Sequence, residues 1–156
     1  MSELSLKAFD KPSGVSTHSP DKNASEILGF IESATQTIKQ ELFIVHRLDK
    51  GTSGVLLAAN DQASAEVLRA AFEKHLVQKK YFFVSDRSFA REHFHVRYWI
   101  EKKGSTYTST SVQINHDACL DKSSKQPVTD QKWNAETKID LVKSFEKFSL
   151  WQATPL

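Results

Sequence analysis

The chain has 156 residues, 39% hydrophobic and 26% charged, which describes a packed globular chain and not a disordered tail. Lys plus Arg is 21 and Asp plus Glu is 19, a formal net charge of +2, so nucleic-acid binding has to be argued from local placement and not from bulk charge. Five glycines and four prolines exclude collagen and low-complexity chains, the lone Cys119 excludes an internal disulfide or a Cys-based zinc finger, and no apolar run approaches the ~20 residues of a membrane helix. Length favours one domain. The first residues, Met1 to Lys7, lack the basic start and apolar stretch of a secretory signal, so a reducing, cytoplasmic setting is expected.

In chain order, Leu4 to Phe9 alternates as a short strand, and Asp10-Lys11-Pro12-Ser13-Gly14 reads as a turn. Val15 to His18 resumes an extended path. The spacing of Ile27, Ile31, Ala34 and Ile38 predicts a helix over Ala24 to Gln40, capped by Asn23 and weakened slightly by Gly29. Leu42-Phe43-Ile44-Val45 is a short apolar run that suits a strand buried on both faces, and Val55 to Ala59 is a second. Between them lies the polar, glycine-punctuated loop His46 to Gly54, the kind of segment where a rigid scaffold carries chemistry.

A second helix starts near Asn60 or Asp61, with Ala65, Leu68, Phe72 and Leu76 as its buried stripe. Tyr81 to Val84 and Phe94 to Ile100 read as strands, and Gly104 turns the latter into Thr106 to Gln113. Asn115 to Asn134 is a polar loop, followed by a closing pair of strands over Ala135 to Val142 and Phe145 to Ala153. The sum is an α+β fold, a mixed and largely antiparallel sheet with flanking helices.

His46-Arg47-Leu48-Asp49, followed by Lys50-Gly51-Thr52-Ser53-Gly54, is the sharpest local signal. Together with Asp10 to Val15, with Phe72 and Gln78-Lys79-Lys80-Tyr81, and with Ala135-Glu136-Thr137, it closely resembles the RluA-like family of RNA pseudouridine synthases. These segments fall in the family's order along nearly the whole chain. The resemblance implies the bisected sheet of those enzymes and the isomerisation of uridine to pseudouridine in ribosomal or transfer RNA. In that reaction the N1–C1′ bond breaks and C5 bonds to C1′. It implies Asp49 as the essential carboxylate, no cofactor, no metal, and an RNA partner; a monomer is expected. Aspartic acid is ordinarily an anion at neutral pH. Residue types leave open whether it attacks the sugar carbon or removes a sugar proton, since both routes need an anion beside C1′. Everting the uridine costs a few kcal/mol, and stacking on an aromatic ring returns ~1–3 kcal/mol per base. By resemblance Tyr81 is that ring. Arg47 contacts phosphate or fills the vacated space, Lys79 supports Asp49 or the RNA backbone, and His46 joins the RNA-binding set, although a structural role suits it better than acid–base chemistry.

Each assignment has a plainer rival. Asp49 is also a residue type that caps helices and closes turns, Arg47 a plain ion-pair partner, Tyr81 core packing, and Lys74, Lys79 and Lys80 a solvated face. His93 and His95 share one face of a strand, but the sequence offers no Cys or carboxylate at matching spacing for a metal. Two other functions compete. One is a non-catalytic RNA-binding protein on the same fold. The other is a glycosidase-like hydrolase, which needs two carboxylates where only Asp49, and less clearly Asp10, sits in a motif. The segment Leu150 to Leu156 resembles the lead into a family motif, Thr-Gly-Arg-Thr-His-Gln-Ile-Arg-like, whose basic residue pairs with the catalytic aspartate. The chain stops before it, so a partial catalytic domain with weak or no turnover is expected, without a separate N-terminal RNA-binding module.

Overall fold

The computed structural model describes residues 3–19, 29–87, 91–103, 106–114 and 134–156. The chain divides into two compact units, Met1–Val77 and Gln78–Leu156. Each has its own antiparallel sheet, and the described residues form an α+β fold with two helices.

In the first unit, β1 (Leu6–Lys11), β3 (Gly54–Ala59) and β2 (Phe43–Ile44) lie in the order β1-β3-β2. β3 is central because its run of small and branched apolar residues fills both faces: Leu56, Ala58 and Ala59 are fully buried. The register pairs Leu6 with Ala59 and Lys11 with Gly54. That pairing sets the segment after β1 and the segment before β3 at the same end of the sheet. The run Leu42 to Val45 is buried at its ends, but only Phe43 and Ile44 pair, on an edge. A strand buried on both faces, as the sequence suggests, is therefore not formed there. The polar loop that follows withdraws from the ladder after Ile44.

Helix α2 (Gln62–Glu73) follows β3, and the Asp61 carboxylate accepts the Ser64 N–H at 2.7 Å as its N-cap. Ala65 and Leu68 pack on Val45 and Ala59, with Phe72 beside them. Leu76, expected in that stripe, is 74% exposed. The helix ends at Glu73, and His75 turns left-handed at φ 56°. Its N–H donates to Phe72 O and that of Leu76 to Ala71 O, which closes the helix with a Schellman motif and throws Leu76 outward.

Helix α1 is Phe30–Ile38, with Gly29 extended at its N-cap. The predicted cap and first turns, Asn23 to Leu28, lie outside the described residues. Gly29 offers no side-chain cap. Instead the carbonyls of Ser16 and Thr17 accept the N–H groups of Phe30 and Ile31, at 2.9 and 3.1 Å. The helix start is thereby tied to the chain after β1.

In the second unit, β4 (Tyr81–Ser85), β5 (His93–Lys103), β6 (Thr106–Ile114), β7 (Ala135–Ser144) and β8 (Ser149–Pro155) are ordered β4-β8-β7-β5-β6. Period-two alternation sends Phe94, Ile139 and Trp151 to one buried face, where Val96, Leu141 and Ala153 pack against them. Asn134 continues the β5–β7 ladder with its side chain: its amide donates to Ile100 O at 2.7 Å and accepts from Ile100 N at 2.8 Å. The predicted turn at Gly104, most of the loop after Asn115, and Cys119 lie outside the described residues. Among the described residues, no helix is long and apolar enough to cross a membrane.

Candidate active site

The polar loop before β3 is built on one apolar plug. Leu48 is buried, while Arg47 and Asp49 on either side are exposed. The alternation along an extended chain sends the plug inward and its neighbours outward. His46 also turns inward. Its ring stacks on Phe72 with centroids 4.6 Å apart, and its Nε2 accepts the Leu57 N–H at 2.8 Å. An imidazole thus accepts from β3 just past the last β2–β3 pair, Ile44 with Ala58. His46 therefore holds the loop to the sheet, the structural role that suits it better than acid–base chemistry in the sequence.

After Asp49 the loop closes as a turn, with the Thr52 N–H donating to Asp49 O at 3.0 Å. Gly54 then enters β3 at φ 121°, a backbone conformation that a side chain disfavours. Gly51, the other glycine of this loop, is not in a left-handed conformation.

The chain after β1 braces this loop. Lys11 is fully buried, and its ammonium donates to Pro12 O and Val15 O at 3.0 and 2.7 Å. The turn so held passes Gly14, at φ 89°, whose N–H donates to Lys50 O at 2.7 Å. The Ser13 hydroxyl donates to Gly51 O at 2.8 Å. Between the two segments opens a cleft of about 150 Å³, lined by Ser16, Thr17 and His18 on one side and by Arg47, Leu48, Asp49 and Lys50 on the other. A carboxylate at the rim, between two cationic side chains, meets the requirement for an anion presented to a polyanionic substrate. Ser16, His18 and Lys50 were not singled out from the sequence. Their role as lining follows from the β1–β3 register, which joins segments more than thirty residues apart.

Lys79 and Tyr81 belong to the second unit. Both are half-buried; Tyr81 opens β4 and pairs with Ala153 of β8. Arg47, Asp49 and His46 share one loop of the first unit, and Lys79 and Tyr81 a separate segment of the second.

The second unit also carries a ladder of charges across β5 and β7. His93 Nδ1 lies 2.9 Å from Asp140 Oδ1 and His95 Nδ1 2.7 Å from Glu136 Oε1. Arg97 reaches the same Glu136 oxygen at 3.0 Å, and Lys138 reaches Asp140 at 3.0 Å. The hydrogen bonds from Arg97 and then His95 hold the Glu136 carboxyl below its ordinary range. For Asp140, burial pushes upward, but the hydrogen bonds from His93 and Lys138 outweigh it and leave the group lowered. The carboxylates missing from the sequence around His93 and His95 thus come from the neighbouring strand. They serve as ion-pair partners, and among the described residues no three His, Cys, Asp or Glu side chains converge as a metal site.

Comparison with known proteins agrees with this architecture. The profile described as RNA pseudouridylate synthase matches residues 6–156. A tRNA pseudouridine synthase C of Haemophilus ducreyi is 37% identical over 79 residues, 51% of this chain and 32% of the relative. A ribosomal large subunit pseudouridine synthase C of Rickettsia conorii is 39% identical over 111 residues, 69% of this chain and 35% of the relative. The chain spans about a third of the length of these curated relatives. In fold, it superposes on human RNA Pseudouridylate Synthase Domain Containing 4 with a TM-score of 0.64 at 18% identity, covering 99% of this chain and 57% of that one. A profile match that runs from the first strand to the last residue, over a sheet arrangement shared with a solved member, makes this chain a member of the RNA pseudouridylate synthase family.

Proposed function

We propose that the protein containing this chain isomerises uridine to pseudouridine within ribosomal or transfer RNA, with Asp49 as the catalytic carboxylate. The observation that carries the reading is the presentation of Asp49. It is exposed at the rim of an open cleft, between Arg47 and Lys50, on a loop braced by the segment after β1. A turn-closing or helix-capping aspartate would spend its carboxylate on nearby backbone N–H groups, as Asp61 does on Ser64. In the turn at Asp49 it is the backbone carbonyl that accepts Thr52.

In this reading an everted uridine enters the cleft, and Asp49 acts at the sugar, on C1′ or on an adjacent proton. The N1–C1′ bond breaks, C5 bonds to C1′, and the proton on C5 is released. Arg47 and Lys50 engage flanking phosphates, which suits a cationic fork and a point charge respectively. His46 acts indirectly, by tying the loop to β3. Tyr81 and Lys79 are assigned to RNA contact, a stacking ring and a backbone cation, on the motif they occupy.

The test is made on the complete protein with bulk ribosomal and transfer RNA tritiated at C5 of uridine. Asp49→Ala and Asp49→Asn should each abolish tritium release while RNA affinity stays within about threefold, because the substitution removes a reacting group and not the surface that binds phosphate. Turnover surviving in either variant removes Asp49 from the mechanism. Intact RNA binding by a wild-type protein without turnover replaces the enzyme with an RNA-binding protein on the same fold.

A further inference from the structure

Thr17 lies one residue before His18 in the segment after β1, and no motif on the chain draws attention to it. It is 3% exposed. Its hydroxyl donates to Leu48 O at 2.6 Å and accepts the Leu48 N–H at 3.1 Å. One hydroxyl thus uses its donor and an acceptor lone pair on a single residue. The two groups it holds belong to different peptide planes. The N–H is that of the Arg47–Leu48 peptide, and the carbonyl is that of the Leu48–Asp49 peptide. Both planes adjoining Leu48 are thereby fixed, and with them the directions in which Arg47 and Asp49 leave the chain.

Leu48 lies outside the sheet, so no strand neighbour satisfies these groups. Buried backbone groups need a partner, and here a side chain thirty-one residues away supplies it. Thr17 is itself anchored. Its carbonyl accepts the Ile31 N–H at 3.1 Å, and the preceding Ser16 carbonyl accepts that of Phe30 at 2.9 Å. A continuous path of hydrogen bonds therefore runs from the start of α1 through Thr17 to the peptide that carries Asp49. On the far side of Asp49, Gly14 and Ser13 hold the carbonyls of Lys50 and Gly51. The carboxylate is bracketed, and Thr17 supplies the bracket on its N-terminal side.

We infer that Thr17 is a positioning residue: its hydroxyl orients the Asp49 peptide for reaction without touching the substrate's reacting atoms. The inference rests on Asp49 being the catalytic carboxylate. A reacting group must be held in a near-attack geometry, and a displacement of about 1 Å can cost on the order of a hundredfold in rate. Valine has the shape of threonine without the hydroxyl, and serine has the hydroxyl without the methyl.

The experiment uses the complete protein and single-turnover pseudouridine formation at saturating enzyme. Thr17→Val should slow the chemical step by about ten- to a hundredfold while RNA affinity changes by less than about threefold. Thr17→Ser should restore most of the rate. Wild-type speed in Thr17→Val, or a serine variant as slow as valine, overturns the inference, and so does an affinity loss that accounts for the whole effect. Amide hydrogen exchange supplies an independent arm. The Leu48 amide should be protected in the wild type and exchange faster in Thr17→Val, and rapid exchange in the wild type also overturns the clamp. Should valine prevent folding, the serine rate and the wild-type Leu48 amide decide the matter. If the wild type forms no pseudouridine, the functional reading fails by itself, the catalytic role of Thr17 falls with it, and the exchange arm still decides whether Thr17 holds the loop.

Discussion

A side chain at position 29 has nowhere to go. A Cβ built on Gly29 runs into the backbone of His18 and a carboxylate oxygen of Glu32. In a helix the residue would count only as a weak former; at this N-cap it allows two backbones to touch. The approach matters because the segment it admits, Ser16 to His18, lines the cleft and binds Leu48. Gly29→Ala should therefore lower unfolding stability by about 1–3 kcal/mol, the usual cost of overpacking a site walled by backbone, measured by urea denaturation. Gly51→Ala makes the contrast, since open space surrounds that position, and its midpoint should stay close to wild type. Equal stabilities for the two variants would remove the close approach as the reason for Gly29.

Among elements, the C-terminus of α2 carries an avoidable strain. The Schellman closure requires a left-handed residue, and His75 occupies it at φ 56°. Histidine reaches this region more readily than most residues, but its Cβ still crowds the carbonyl. His75→Gly should raise stability by up to about 1 kcal/mol, the relief being partly offset by the greater freedom of glycine in the unfolded chain. Thermal denaturation reads this as a higher midpoint, and an unchanged or lower midpoint would show that the imidazole makes a compensating contact. The helix was legible from Asp61 and the Ala65, Leu68, Phe72 spacing. Its end was not, because a left-handed histidine carries no glycine or proline to mark it.

At the scale of the whole molecule, the charge ladder of the second unit ties stability to pH. It carries Glu136 and Asp140, both lowered by hydrogen bonds from partners on β5 and β7. A carboxyl that ionises more easily when folded than when unfolded stabilises the fold above the ordinary carboxylate range. That contribution is lost as the pH falls below the ordinary glutamate range and through the lower range of Glu136 in the folded state. Glu136→Gln should reduce stability near pH 7 and flatten its acid-side decline, with the two proteins converging once Glu136 of the wild type is protonated. Urea midpoints from pH 7 to pH 3 measure this; parallel curves would mean that the hydrogen bonds from Arg97 and His95 do not contribute.

The sequence by itself determined the strands, the two helices in outline and the motif from His46 to Gly54. Each of these is written in local pattern: alternation in Phe94 to Ile100, four-and-three spacing in α1 and α2, and a charged tetrapeptide between apolar runs. It also pointed to Asp49, through the unbroken run from His46 to Gly54. Tertiary structure alone decided what surrounds that carboxylate. The cleft wall of Ser16 and His18, the hydroxyl of Thr17 on Leu48, the inward turn of His46 onto Phe72 and the carboxylates opposite His93 and His95 all join residues ten to fifty positions apart. Such contacts depend on strand register and on the demand that buried polar groups be paired, neither of which a one-dimensional pattern encodes.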